Sequence, residues 1–132
     1  MRIGLLEDNP AIVDWLTTAL EMAGHAVSHH TDGPSLLACL FDAEGSVSEP
    51  LPYDLVLVDF YLPGDMSGLQ VIDAIRAIIP KERLPLIVIS GASLRELERI
   101  GASHPDLPIV QKPFKVSDLL ALIETSGIIG CN

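Results

Sequence analysis

The sequence predicts an α/β protein, a doubly wound parallel sheet made of five successive βα units. Three observations carry this. Short apolar runs alternate with amphipathic ones along the 132 residues, the pattern of a parallel sheet covered by helices on both faces. Leu55, Val56, Leu57 and Val58 form an unbroken apolar run, as expected of a strand buried on both sides. The runs also end in polar residues, at the sheet edge where such folds place their ligands.

Taken in order, Arg2 to Leu6 is the first strand, and it ends in Glu7, Asp8, Asn9 and Pro10. Asn9 suits a helix cap and Pro10 a first turn. Ile12, Val13, Leu16, Ala19, Leu20 and Ala23 recur at helical spacing, and Gly24 stops that helix. Ala26 to His29 is a weak second strand, followed by a helix over Pro34 to Phe41 that buries Leu36, Leu37 and Leu40. Asp42 to Pro52 is polar and contains proline, so it is expected to be an exposed loop. The central strand then ends in Asp59, a turn at Leu62, Pro63 and Gly64 breaks the chain, and Gly68 allows a tight entry into the next helix. That helix, Leu69 to Ile79, is expected to bury Val71, Ile72, Ile75 and Ile78. Pro85 to Ser90 is the fourth strand, and Ser93 with Glu96 forms a capping-box signature for a short helix closed by Gly101. Leu107 to Val110 is the fifth strand, placed at a sheet edge because Pro108 cannot donate to a ladder. Val116 to Thr125 is the last helix.

Composition narrows the function. A chain of this length holds one domain with one core, and 48% hydrophobic residues with mean hydropathy +0.40 fill it. Eight basic against eighteen acidic side chains give a net charge of −10 and a pI of about 4.5, which repels a phosphate backbone and argues against direct nucleic-acid binding. No apolar stretch approaches a membrane span, and the opening MRIGLLEDN turns acidic too soon for a signal peptide. A cytoplasmic protein without membrane insertion is expected. Cys39 and Cys131 show no CxxC or metal spacing and read as inert, reduced thiols.

In a doubly wound sheet the strand ends share one edge, so Glu7, Asp8, Asp59, Ser90 and Lys112 should converge. Three neighbouring carboxylates repel one another and raise their pKa values unless a cation neutralises them. A hard ion with oxygen ligands suits such a site, and Mg²⁺ is the usual intracellular candidate. A lysine and a hydroxyl beside it supply what phosphoryl transfer needs, which makes Asp59 a candidate nucleophile forming an acyl phosphate.

The pair Glu7 and Asp8, the strand ending in Asp59 followed by LPGDMSGL, the strand ending in Ser90 and Gly91, and the triplet Lys112, Pro113, Phe114 together resemble the CheY-like receiver domain of two-component response regulators. The resemblance spans residues 1–126 and leaves 127–132 as a short C-terminal tail. It implies a flavodoxin-like (βα)5 fold with strand order 2-1-3-4-5. It implies phosphoryl transfer to Asp59 from a phosphohistidine of a sensor histidine kinase or phosphotransfer protein. Mg²⁺ would be bound by Asp8, Asp59 and the backbone carbonyl of Tyr61, with Glu7 acting largely through water, while Ser90 and Lys112 contact the phosphoryl group. The resemblance further implies a regulator that catalyses its own phosphorylation and dephosphorylation rather than an enzyme, and a cis Lys112–Pro113 peptide. Phosphorylation would reshape the surface formed by the fourth helix, fifth strand and fifth helix for an unknown downstream protein.

Some features depart from that pattern. The segment from Asp59 to Gly68 is one residue longer than in the commonest members, and Ile109 stands where a switch tyrosine or phenylalanine is frequent. The chain stops after the fifth helix, which resembles a stand-alone receiver of the chemotaxis or phosphorelay kind. Tyr61 is expected to hang over the pocket mouth and slow hydrolysis of the acyl phosphate. His29 and His30 are strand neighbours and point to opposite faces, which disfavours a metal role. Trp15 is expected to be partly exposed, and Arg95, Glu96, Glu98 and Arg99 to form a solvated helix face.

Three other readings share parts of this pattern. A Mg²⁺-dependent phosphoesterase of the haloacid-dehalogenase type needs a second acid two residues past its nucleophile, where Tyr61 stands. A degenerate receiver serving as a phosphorylation-independent binding module would lack an acid, the lysine or the acceptor, and all are here. A flavin-binding version of the fold would need a hydroxyl- or Gly-rich loop where LEDNP stands.

Overall fold

The computed structural model describes residues 1–60, 66–91 and 94–131, with the backbone alone at 94, 96 and 126–131. Five parallel strands, β1 (Arg2–Leu6), β2 (Ala26–His30), β3 (Leu55–Asp59), β4 (Leu86–Ser90) and β5 (Ile109–Gln111), lie in the order β2-β1-β3-β4-β5. Five helices alternate with them: α1 (Pro10–Met22), α2 (Gly33–Leu40), α3 (Gly68–Arg76), α4 (Leu94–Ser103) and α5 (Val116–Cys131). This is the flavodoxin-like arrangement and the strand order that the sequence implies.

The period of two along each strand divides the core into layers. Leu6, Val56, Val58, Leu86 and Val88 face α2 and α3, meeting Leu36, Leu40, Val71, Ile72 and Ile75. Ile3, Leu5, Leu55, Leu57, Ile87 and Ile89 face α1 and α5, meeting Leu16, Leu20, Leu119 and Ile123. β3 and β4 are buried at every position, so their unbroken apolar runs are the consequence of two covered faces.

Local chemistry sets the helix ends. Asn9 Oδ1 accepts the Ala11 N–H at 3.0 Å and Pro10 occupies the first turn of α1. Gly24 ends that segment with a positive φ of 96°, a conformation costly for any residue with a Cβ. Ser67 and Gln70 close a reciprocal capping box at α3, which the sequence reading had not named.

Several boundaries shift from expectation. Ile79, not Ile78, enters the core: α3 ends at Arg76, the following turn tightens as Ile78 and Ile79 N–H groups both bond to the Ile75 carbonyl, and Ile78 is left 54% exposed. Gly101 lies inside α4, and α5 runs on to Cys131 past the expected end at Thr125, so helix stands where a short tail was expected at 127–131. The polar loop 42–52 is not wholly exposed, because Leu51 is buried and Val47 packs against the core. Pro108 immediately precedes the edge strand β5, and its carbonyl accepts the Val88 N–H at 2.9 Å. The expectations for Tyr61 to Gly64 and for the Ser93 cap lie outside the described residues.

Candidate functional site

The carboxyl edge of the sheet gathers the polar strand ends. β1 delivers Glu7 and Asp8, β3 ends in Asp59, β4 in Ser90, and Lys112 follows β5 with its N–H bonded to the Ser90 carbonyl at 2.7 Å. Ligand atoms of Glu7, Asp8 and Asp59 all lie within 4.8 Å of one another, the acid cluster that could hold a metal among the described residues. Glu7, Asp59 and Ser90 are buried, while Asp8 faces solvent.

The two buried acids are held in place. Glu7 Oε1 accepts the Asn9 N–H at 3.2 Å and Oε2 accepts from Lys112 Nζ at 3.3 Å. Lys112 Nζ also lies 3.8 Å from Asp59 Oδ1, so one ammonium sits between two buried carboxyls. A single cation does not compensate the cluster. Burial first, then a hydrogen bond that the protonated Asp59 donates to Glu7 and the charge of Glu7, pushes the Asp59 carboxyl up to about 8, with Asp8 adding to the rise and Lys112 opposing it. The ionised form of Asp59 is thus disfavoured unless a further cation joins Lys112. Three hard oxygen donors around an uncompensated negative centre fit a hard divalent cation with water completing its shell.

Gly68 brings the next helix against this edge. A Cβ there would lie 2.5 Å from the Asp59 carbonyl oxygen and 2.7 Å from the Phe60 Cα, so only glycine lets α3 begin where it does. The Gly68 N–H bonds to the Phe60 carbonyl at 3.1 Å and ties the two segments together. The Lys112–Pro113 peptide is cis, as the resemblance implies. Ile109 opens β5 and packs, partly buried, against the α2 and α3 side of the core.

Two supports escaped sequence reasoning. The Glu7 N–H bonds to the His30 carbonyl at 3.1 Å, and His29 Nε2 lies 2.7 Å from the Glu7 carbonyl, so the β2 edge fixes the acid's main chain from both sides. His30 turns inward, one ring nitrogen 3.0 Å from the Ser35 hydroxyl and the other 2.6 Å from the Tyr53 hydroxyl. The opposite-face rule separates the two histidines correctly, but register alone reveals that one of them braces Glu7. Trp15 is 45% exposed and packs against Phe114 at a centroid distance of 5.5 Å. The Tyr61 carbonyl lies outside the described residues.

The family model of the response regulator receiver domain matches residues 3–124. The chain belongs to this family. This receiver domain is 30% identical over 123 residues to the response regulator receiver protein CpdR of Brucella abortus, covering 93% of each chain. It is 29% identical over 124 residues to the transcriptional regulatory protein HprR of Escherichia coli, covering 93% of this chain and 50% of that one. The receiver thus spans about half the length of curated relatives such as HprR and nearly all of CpdR. Among solved structures, the receiver domain of the sensor histidine kinase PA1611 from Pseudomonas aeruginosa, which has a magnesium ion coordinated in its active-site cleft, superposes with a TM-score of 0.78. Identity is 25%, and 96% of both chains is covered. The family is one of signalling regulators rather than of enzymes in the ordinary sense.

Proposed function

We propose that this receiver is the phosphoacceptor of a two-component or phosphorelay pathway and that Asp59 is its acceptor. The observation that carries the reading is Asp59 itself, buried at the end of the central strand beside two other acids and the Lys112 ammonium. A donor's phosphohistidine would lose its P–N bond as an Asp59 carboxylate oxygen forms the new P–O bond, and the freed imidazole takes up a proton. Glu7, Asp8 and Asp59 would hold Mg²⁺, with the Tyr61 carbonyl as the further ligand that the resemblance implies. When bound, the ion neutralises the carboxylates and the equatorial phosphoryl oxygens. Lys112 Nζ, already placed between Glu7 and Asp59, would move onto a phosphoryl oxygen, and the Ser90 hydroxyl would meet another.

The donor would be a sensor histidine kinase or phosphotransfer protein, and the site of action the cytoplasm. Among the described residues no helix is long and apolar enough to cross a membrane. The output would be a changed surface of α4, β5 and α5 presented to a downstream protein. Ile109 has few rotamers with which to answer a displaced Ser90, so the segment after β4 and α4 would carry most of the signal. The test is incubation with Mg²⁺ and acetyl phosphate followed by intact-protein mass measurement. One phosphoryl increment is expected, absent in Asp59→Asn and in the presence of a chelator. A fully labelled Asp59→Asn protein would refute the assignment.

A further inference from the structure

A second cavity lies at the opposite edge of the sheet, away from the acid cluster. It is a cleft of about 440 Å³ bounded by the end of α3, the segment following α4 and the residues that lead into β4 and β5. That volume falls within the range of small-molecule sites. Pro80, Pro85, Pro105 and Pro108 form much of its wall, and their fixed φ angles leave little backbone entropy to lose when a ligand enters.

The wall carries Arg76 and Lys81 as well as the carboxylates Glu82 and Asp106, and these charges differ in how they are paired. Lys81 pairs with Asp106 at 3.1 Å, and His104 pairs with Asp73 at 2.6 Å. Arg76, partly buried on the same wall, is different. Its Nη1 donates to the Ile79 carbonyl at 3.2 Å and to the Leu84 carbonyl at 2.9 Å, which uses both hydrogens of that nitrogen. Among the described residues, Nε and Nη2 have no hydrogen-bond acceptor and no carboxylate forms an ion pair with the group. Burial lowers its pKa, and the charge of Glu82 only partly offsets this, as expected for a cation removed from water without a full counter-charge. The Nε and Nη2 edge is the side of a guanidinium that receives a carboxylate through two parallel bonds.

We propose that this cleft binds a small amphipathic carboxylate, the acid on the Nε and Nη2 edge of Arg76 and an aromatic or short aliphatic body against the proline walls. The chemistry is that of a monocarboxylic acid. The proline walls offer no donors to replace the hydration of a highly polar anion. The inference is independent of the phosphoacceptor reading, since no residue of the acid cluster takes part.

The experiment is a ¹⁵N-correlation titration of the full chain with phenylacetate, phenylacetamide and phenylethylammonium as probes. About 0.15 M salt, with a Debye length of about 8 Å, screens the repulsion of anions by the net charge. Saturable shifts with phenylacetate are expected at Arg76, Lys81, His104 and Leu107, with Glu7 and Asp59 unmoved, and affinity should exceed that for the amide at least about tenfold. Arg76→Gln should erase the preference for the acid. Because Arg76 also binds two carbonyls, that variant could lose its fold. The acid-against-amide comparison on the unaltered chain then decides alone. Equal binding of acid and amide, preference for the ammonium, no saturation, or shifts centred on Glu7 and Asp59 would each overturn the proposal. A dimer in sedimentation that dissociates on Arg76→Gln would assign the cleft to a second copy and overturn it as well.

Discussion

Replacing Gly68 by alanine tests whether the close approach of α3 to β3 builds the site. The added Cβ would meet the Asp59 carbonyl oxygen at 2.5 Å, the Phe60 Cα at 2.7 Å and the Phe60 carbonyl oxygen at 2.8 Å. All three are backbone atoms, so no rotamer change relieves the overlap and α3 must move away from the strand end. Overpacking of this kind costs about 1–3 kcal/mol, and loss of the Gly68 to Phe60 hydrogen bond adds about 1 kcal/mol. The total is about 2–4 kcal/mol. For 132 residues, an unfolding entropy of about 2.1 cal/mol/K per residue turns that into a fall in Tm of about 7–14 °C. Gly101→Ala is the control. Its Cβ meets nothing within 4 Å, and inside α4 alanine should gain about 0.5–1 kcal/mol over glycine. Thermal denaturation of both variants checks the pair. The same substitution should carry opposite signs at the two sites, and a neutral or stabilising Gly68→Ala would refute the reasoning.

Asp8→Asn removes one charged oxygen from the acid cluster and should weaken Mg²⁺ binding at least about tenfold. Because Asp8 is exposed, stability without the ion should change by no more than about 0.5 kcal/mol, and an unchanged Mg²⁺ affinity by calorimetry would count against the cluster as the ion's site. His30 gives a pH dependence. Burial lowers its pKa from the usual 6.5, His29 lowers it further and Asp32 opposes them, while Tyr53 and Ser35 occupy its ring nitrogens. The unfolded chain therefore binds more protons than the folded one just below pH 6.5, and this contribution to stability disappears as pH falls. Asp59, raised from 3.8 to about 8, acts oppositely over the same range, so the test is a difference. As pH falls from about 7.5 to about 5.5, the change in urea stability should be less favourable for the chain than for His30→Gln, and equal changes would remove His30 from the account. Backbone NMR with beryllofluoride and Mg²⁺ should show its largest perturbations between Ser90 and Gly101, whereas shifts centred on Ile109 and α5 would show that β5 carries the switch.

The fold was legible because its strands and helices obey different periods. Leu55 to Val58 read as a strand covered on both faces, and Asn9, Pro10 and Gly24 bracket α1 by their own backbone preferences. The acid cluster was legible for a topological reason, since parallel strands deliver their last residues to one edge. Ile78 and Ile79 show the limit. Both suit a helical apolar stripe, and the choice between them depends on a tightened turn after Arg76 that tertiary packing decides. The continuation of α5 through Gly127 and Gly130 runs against the helix propensity of glycine. The brace on Glu7 could not be read either, because it depends on the β1 and β2 register that pairs Leu6 with His30. Nothing in the sequence marks Arg76 out, and only the carbonyls of Ile79 and Leu84 reveal that it is partly enclosed.

The central claim is that the Asp59 carboxylate is the nucleophile. An acyl phosphate is reduced by borohydride, so treatment after exposure to Mg²⁺ and a phosphoryl donor should convert residue 59 to homoserine, identified by peptide mapping. Conversion confined to position 59 and dependent on both donor and Mg²⁺ is the expected result. Reduction at Asp8 instead, or a stable phosphoryl group that leaves position 59 unreduced, would contradict it.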